Sequence, residues 1–211
     1  MLVSEWMSPN PKTVSPKTPV MEAMQLLKSG GFRRMPVVDG DKLIGIVTDK
    51  DLKDATPSKA TTLSVYELNY LLTKLAVRDV MTGSVITLAP ADPVERAALL
   101  MEEHKISGLP VVEKRRLVGI ITISDLLRAF VTVLGLREGG VRVTVDLPDE
   151  PGVLSRVTNV AAPSNIVAAV TSGVEQGRHR RLVLRVVCDG SSDFPGRLRE
   201  AGVDVVDVHA D

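Results

Sequence analysis

Several features that would indicate common function classes are scarce in this chain of 211 residues. Cys188 is the single cysteine, so an intrachain disulfide and a multi-cysteine metal site are both excluded. Only six residues are aromatic, which leaves few platforms on which unpaired bases could stack. Lys and Arg number 26, as do Asp and Glu, so no net charge attracts polyanions or anionic lipid. We therefore expect neither nucleic acid nor a membrane surface as a partner.

The chain also lacks signals for export, membrane insertion, metal binding and catalysis. Its longest stretch without a charged residue, 157–174, is interrupted by Pro163 and Gly173 and fails as a membrane span. His104, His179 and His209 have no ligand spacing, and no nucleophile or phosphate-loop motif is present. These absences predict a soluble, cytoplasmic, non-catalytic protein that requires no metal and no cofactor.

An internal duplication dominates the first two thirds of the sequence. An offset of 74 residues aligns 7–53 with 81–127 without a gap, and 16 of the 47 pairs are identical. Each copy predicts the order helix, strand, strand, helix. Because such a unit cannot cover its own sheet, the copies are expected to pack face to face with approximate two-fold symmetry.

The helix of each copy has apolar residues at the spacing of a buried face. Thr18-Pro19 and Asp92-Pro93 predict a capping side chain before a proline at the first helical position. The predicted buried residues are Val20, Ala23, Met24 and Leu27 in the first copy and Val94, Ala97, Ala98 and Met101 in the second. Between the copies, residues 56–75 predict a polar connector with a short docked helix.

The pattern changes after residue 137. Glu138-Gly139-Gly140 predicts a flexible break, and a strand of alternating apolar and polar residues follows from Val141. The remainder predicts helix 152–162, strand 166–174, strand 181–187, helix 194–201 and strand 203–208. The basic cluster at 178–181 is expected to be a solvated hairpin turn. The order βαββαβ predicts a ferredoxin-like sandwich.

Residues 45–51 and 119–125 share the form Gly-h-h-Thr-x-x-Asp, where h is apolar, at a predicted strand-to-helix junction. A threonine followed three residues later by an acid is close to a capping box, so a helix start alone explains the pattern. The same groups suit a nucleotide, because N–H groups at a helix start favour phosphate and a carboxylate accepts from paired ribose hydroxyls. Recurrence in both copies favours the nucleotide, and both interpretations stay open.

Both copies resemble CBS motifs, the repeat named after cystathionine β-synthase, over roughly residues 1 to 130. The resemblance implies clefts between paired motifs that bind AMP, ADP, ATP or S-adenosylmethionine, with the aspartate on the ribose and the threonine near phosphate. By motif position it assigns Thr13, Arg33, Arg34, Thr48 and Asp51 in the first copy and Thr87, Ser107, Gly108, Thr122 and Asp125 in the second. Two guanidiniums in one copy and none in the other predict clefts of different affinity for a polyphosphate.

The turn at 149–154 is similar to the Asp-x-Pro-Gly-x-Leu turn of ACT domains. This resemblance implies an amino-acid effector held by Asp149, Pro151, Gly152, Val153 and Leu154, and a homodimer, because ACT domains take effectors between paired copies. A plain strand-to-helix turn is the alternative interpretation.

The expected fold class is α/β (α+β). Two CBS motifs form a pseudo-two-fold pair over residues 1–137, with repeats 1–55 and 76–130 and the connector 56–75, and an ACT domain covers 138–211. This layout resembles AcuB-like proteins of acetoin utilisation. The resemblance implies a sensor of adenosyl nucleotides that regulates an unknown protein in acetoin or acetate metabolism. An enzyme or accessory subunit of acetoin catabolism and a nucleic-acid-binding regulator are the alternatives.

Overall fold

The computed structural model describes residues 1–56, 74–162, 164–173, 179–187 and 193–210. The chain divides into two compact units, 1–126 and 127–211. The division falls inside one helix, whereas the sequence places the domain boundary at 137/138, which stays a prediction. Most of the connector expected to hold a docked helix, residues 57–73, lies outside the described residues.

The elements of the first unit repeat in the order expected from the duplication. They are α1 (Val3–Trp6), β1 (Ser8–Pro9), α2 (Val20–Gly30), β2 (Arg34–Asp39), β3 (Lys42–Thr48), α3 (Asp49–Asp54), a 3₁₀ turn (Val77–Asp79), α4 (Val94–Glu103), β4 (Gly108–Glu113), β5 (Arg116–Thr122) and the start of α5 (Ile123–Val133).

Two hairpins with the same register form the sheet of the first unit. In the first hairpin Arg34 pairs with Thr48, and in the second Gly108 pairs with Thr122. Each register shifts by one residue after the first valine of its Pro-Val-Val run. The hairpins join where Lys42 pairs with Arg116. The two repeats therefore build one sheet together.

The segment before each long helix crosses between the repeats. Ser8 pairs with Ile120 of the second repeat, and Thr82 forms a bridge to Ile46 of the first. A Cβ atom at Gly45 would lie 2.5 Å from the sulfur of Met81, so this crossing leaves no room for a side chain on the strand. The glycine of the Gly-h-h-Thr-x-x-Asp motif therefore lies at a tight crossing between repeats, where a Cβ atom would also come within 3.0 Å of the Thr82 carbonyl oxygen.

The long helices α2 and α4 bury most of the predicted face, but Ala98 is exposed. Each helix begins one residue later than predicted, with proline as the N-cap and no side-chain cap. The Thr18 hydroxyl accepts from the Ser15 amide at 3.1 Å, and Asp92 accepts from the Ala89 amide at 2.7 Å. These side chains stabilise the turn before the helix, so their predicted role as helix caps is wrong.

The second unit has the predicted βαββαβ order. After α5 it contains β6 (Val141–Pro148), α6 (Val153–Ala161), β7 (Asn165–Gly173), β8 (His179–Val187), α7 (Phe194–Glu200) and β9 (Asp204–Ala210). The antiparallel sheet has the order β7-β8-β6-β9, which is that of a ferredoxin-like fold. Valines of β6 pack with Phe194 and Leu198 of α7 in the core.

Candidate functional site: the junctions and clefts of the paired repeats

The helix that follows each hairpin begins with a threonine and an aspartate bonded to each other. The Thr48 hydroxyl donates to Asp51 Oδ2 at 2.7 Å, and the Thr48 amide donates to the same oxygen at 2.8 Å. In the second repeat, both bonds recur from Thr122 to Asp125 Oδ2 at 2.8 Å. The capping-box interpretation of the sequence motif is therefore confirmed in the first repeat, where the Asp51 amide also donates to Thr48 Oγ1 at 3.2 Å.

The cap leaves room for a second role of the aspartate. Only Oδ2 of Asp51 takes part in the capping box, and Oδ1 accepts no hydrogen bond from the described residues. A carboxylate oxygen has two lone pairs and suits the paired hydroxyls of a ribose. One aspartate side chain can therefore cap the helix and bind a sugar at the same time. The sequence analysis had treated these two roles as alternatives.

The residues before the two outer strands lie next to these helix starts. The Asp49 amide donates to the Arg33 carbonyl at 3.0 Å, and the Ile123 amide donates to the Ser107 carbonyl at 3.3 Å. The Arg34 guanidinium then crosses from the first repeat to the second and donates to the Ser107 hydroxyl. It also lies over Gly108, where a Cβ atom would come within 3.0 Å of Arg34 Cδ. The starts of the outer strands and of the helices after the hairpins therefore lie together, at a place we call the junction. It contains the predicted site residues of both repeats except Thr13 and Thr87, which belong to the segments before α2 and α4, the opening segments.

Arg34 brings positive charge to this junction without a neutralising neighbour. Its side chain is half-buried, and among the described residues its one polar side-chain partner is Ser107. Burial, and then the charge of Arg33, lower the pKa of Arg34 below its usual value, although an arginine stays protonated. A half-buried cation without a carboxylate is stabilised by an incoming anion.

A cavity of about 370 Å³ lies at the other end of the hairpins. It is lined by Lys42, Leu43, Ile44, Gly83, Val85, Thr87, Val112 and Arg115. Thr87 of the second repeat therefore lies beside β3 of the first repeat, and the cavity is built by both repeats. Thr122 and Asp125 are not among the residues that line it.

The path of the segment that precedes each long helix explains why residues of both repeats line this cavity. Val14 bonds to Pro36 in its own repeat, and Leu88 bonds to Pro110 in the same way, after each segment has passed the opposite hairpin. Thr13 and Thr87 precede these bonds by one residue. The sequence alone missed Lys42 and Arg115 as lining residues. Their charge next to the hairpin turns was the available signal.

The predicted effector turn of the second unit is held by an ion pair. Gly152 has φ of 85° and is the N-cap of α6, which agrees with the need for glycine in this turn. Arg180 donates to both oxygens of Asp149, at 2.9 and 3.2 Å. This hydrogen bond, and then the charge of Arg180, lower the pKa of Asp149. His179, Arg180 and Arg181 belong to β8, so the turn expected at 178–181 is wrong for these three residues, and residue 178 lies outside the described residues.

Comparison with known families identifies the two parts of the chain. Residues 3–58 and 77–132 match the CBS domain family, and residues 139–209 match the TTHA0829-like ACT domain. The chain belongs to the CBS domain family, as a tandem pair followed by an ACT-like domain. No helix in the described ranges has both the length and the apolar character to cross a bilayer.

Relatives with curated descriptions include small CBS proteins and parts of enzymes. A CBS domain-containing protein of Dictyostelium discoideum is 36% identical over 136 residues, which cover 64% of this chain and 94% of the relative. L-aspartate semialdehyde sulfurtransferase of Methanocaldococcus jannaschii is 34% identical over 131 residues, or 61% of this chain. The match spans only 23% of that enzyme, and it falls on the CBS region.

Solved structures with the same paired repeats include complexes with adenosyl compounds. A putative acetoin utilization protein, AcuB, of Vibrio cholerae is 33% identical with a TM-score of 0.55, over 65% of this chain and 96% of that one. CBSX2 in complex with AMP is 31% identical with a TM-score of 0.53, over 63% and 97%. The CBS pair of protein MJ0100, in complex with 5-methylthioadenosine and S-adenosyl-L-methionine, is 33% identical with a TM-score of 0.51, over 62% and 95%.

Proposed function

We propose that this protein is a non-catalytic cytoplasmic sensor that binds an adenosyl ligand between its two CBS repeats. The observation that carries the proposal is the junction, where Thr48–Asp51, Thr122–Asp125 and the uncompensated Arg34 meet. AMP bound to CBSX2, and the two adenosyl compounds bound to the MJ0100 pair, support this ligand class.

The charges of the junction favour a ligand with phosphate. Asp51 and Asp125 would take the ribose hydroxyls through carboxylate oxygens, and Arg33 and Arg34 would contact phosphate oxygens through charge-assisted hydrogen bonds. Ser107 and Gly108 add a hydroxyl and space but no charge. We therefore propose that AMP, ADP or ATP binds more tightly than S-adenosylmethionine, whose sulfonium is cationic and would face Arg34.

Thermal unfolding of protein stripped of bound ligand tests this proposal. AMP, ADP, ATP and S-adenosylmethionine are added separately, with inosine monophosphate as a control for the adenine ring. A ligand at 100 times its dissociation constant stabilises the folded state by about 2.7 kcal/mol. For a chain of this size each kcal/mol raises the midpoint by roughly 2 to 4 °C. A higher unfolding midpoint with an adenine nucleotide supports the proposal. An unchanged midpoint with every adenosyl ligand contradicts it.

The same proposal assigns a second ligand to the ACT unit. An amino acid would bind at Asp149, Pro151, Gly152, Val153 and Leu154 between two copies of the chain, as a homodimer. Because Arg180 already holds Asp149, the effector's ammonium group would have to compete with a guanidinium for this carboxylate. Light scattering with and without each of the standard amino acids tests the dimer and its dependence on an effector.

The similarity to the AcuB of Vibrio cholerae supports a link to acetoin or acetate metabolism. On this proposal the protein changes the activity of an enzyme of that metabolism when nucleotide occupies the cleft. A ligand has this effect only by binding one conformation more tightly than another. Loss of growth on acetoin after deletion of the gene, restored by the wild-type chain and not by Asp51→Asn, is the expected result.

A further inference from the structure

Arg34 has its backbone in one repeat and its charge in the other. Its main chain pairs with that of Thr48 at the start of the first hairpin. Its guanidinium donates a hydrogen bond to the Ser107 hydroxyl of the second repeat. Ser107 stands at the start of α5, because its carbonyl accepts from the Ile123 amide at 3.3 Å. The cation of Arg34 therefore lies at the helix start of the second repeat, which Asp125 caps.

The space that the Arg34 side chain occupies is open because the equivalent position in the second repeat is a glycine. Gly108 aligns with Arg34 at the offset of 74 residues. A Cβ atom on Gly108 would lie 3.0 Å from Arg34 Cδ and 3.1 Å from Arg34 Cζ. A larger side chain at this position would collide with the arginine, so arginines at both equivalent positions could not cross together. The crossing therefore runs in one direction only, from the first repeat to the second.

Arg33 stays with its own repeat. Its carbonyl accepts from the Asp49 amide at 3.0 Å, which places Arg33 at the start of α3. Its side chain is exposed and forms no hydrogen bond or ion pair with any residue that the structure describes. Two neighbouring guanidiniums repel each other, which favours their separation. Each helix start therefore has one guanidinium, although both arginines belong to the first repeat.

We propose that Arg34 binds the phosphate of the nucleotide whose ribose is held by Asp125, in the other repeat, and that Arg33 binds the phosphate of the nucleotide at Asp51. This inference rests on the proposed nucleotide function and assigns each cation to one of its two sites. A carboxylate accepts from ribose hydroxyls and a guanidinium donates to phosphate, so each pair suits both ends of a nucleoside phosphate. The two sites should therefore gain similarly from phosphate, in contrast to the difference expected from the sequence.

Substitution of one aspartate at a time separates the two sites for the test. Asp51→Asn retains the site of the second repeat, and Asp125→Asn retains the site of the first. Arg34→Met and Arg33→Met form a matched pair of neighbouring arginines and are made in each background. Calorimetry on the full chain then measures the affinity for AMP and for adenosine, which lacks phosphate.

The expected results differ between the two backgrounds. In Asp51→Asn, the added Arg34→Met should reduce the preference for AMP over adenosine about tenfold, because a charge-assisted contact to phosphate is lost. Arg33→Met should keep that preference within about twofold there. In Asp125→Asn the effects of the two arginine substitutions should be exchanged. A loss of AMP preference from Arg34→Met in the Asp125→Asn background, or equal losses in both backgrounds, overturns the proposal.

A measurement without ligand tests the crossing itself. Arg34→Met should move the amide chemical shifts of Ser107 and Gly108 in the ligand-free protein, and Arg33→Met should leave them in place. Unchanged signals in Arg34→Met overturn the inference. Adenosine binding that persists while the AMP preference does not follow Arg34 contradicts this inference alone. If neither adenosine nor AMP binds the wild-type chain, the proposed function fails and this inference fails with it, so the two failures are distinguishable.

Discussion

The two repeats share a hairpin register and differ in side chains at both ends of the hairpin. At the junction end, Arg33 and Arg34 in the first repeat stand where Ser107 and Gly108 stand in the second. At the turn end, the first repeat has a glycine and an aspartate, and the second has a lysine and an arginine. The glycines at the close crossings between repeats, Gly45 and Gly119, are identical. The duplication kept the architecture and allowed the charges around the clefts to diverge.

The largest expected difference between the repeats is in the free energy of unfolding lost when a leucine at equivalent positions, Leu52 or Leu126, is replaced. Leu52 is completely buried in the first core, whereas its equivalent Leu126 is half-buried. Leu52→Ala should lower the free energy of unfolding by about 2 to 5 kcal/mol, because a buried leucine leaves a cavity. Leu126→Ala should cost roughly half as much, in proportion to the smaller area removed from water. Urea denaturation measures both changes, and equal losses would contradict the difference in burial.

The next largest effect concerns the two aspartates that cap the helices. Asp51→Asn and Asp125→Asn should each weaken nucleotide binding by about 10 to 100 times, because a hydrogen bond from ribose to a charged acceptor is lost. Asparagine keeps an oxygen that accepts from the threonine amide, so the fold should be retained. Calorimetric titration with AMP measures the loss.

Asp49→Asn is the control for these variants, since Asp49 lies in the same helix turn and forms an exposed ion pair with Lys53 at 2.6 Å. It should leave the nucleotide affinity within about twofold of wild type, as expected for an exposed pair. If the control weakens binding as much as Asp51→Asn does, the assignment of the ribose contact to Asp51 is wrong.

A smaller effect on nucleotide affinity is expected for Arg34 at the junction and for Gly108, its equivalent in the second repeat. Arg34→Met should reduce ATP affinity about tenfold and leave adenosine affinity unchanged, because only ATP carries phosphate. Gly108→Ala should reproduce part of this loss, since its Cβ atom would displace the Arg34 side chain from the second repeat. A parallel loss of ATP and adenosine affinity in Arg34→Met would mean that Arg34 shapes the cleft and does not contact phosphate.

The sequence predicted the elements well because periodicity and turn residues are local signals. The duplicated order helix, strand, strand, helix, and the βαββαβ order of the second unit, follow from apolar spacing and are confirmed. The contact of each opening segment with the opposite hairpin was not predictable, because an offset of 74 residues compares the copies but does not show which hairpin each segment contacts. The ion pair between Asp149 and Arg180 was missed for a similar reason, since the partners are 31 residues apart, with Asp149 directly after β6 and Arg180 on the neighbouring strand β8.

The smallest expected changes in the free energy of unfolding come from substitutions in the two hairpin turns. Introducing a glycine in the second turn and removing one from the first should have opposite signs. Lys114→Gly should raise the free energy of unfolding by about 0.5 to 1 kcal/mol, because the relief of a left-handed lysine exceeds the entropy that glycine adds to the unfolded chain. Gly40→Ala should lower it by about 1 kcal/mol, because the equivalent position of the first turn has φ of 60°. Both changes are measured by urea denaturation. Opposite signs at equivalent positions would show that the second turn gave up stability that the first turn retained. A destabilised Lys114→Gly variant would instead mean that the lysine stabilises its turn, and the left-handed backbone at Lys114 would then cost the second repeat no stability relative to the first.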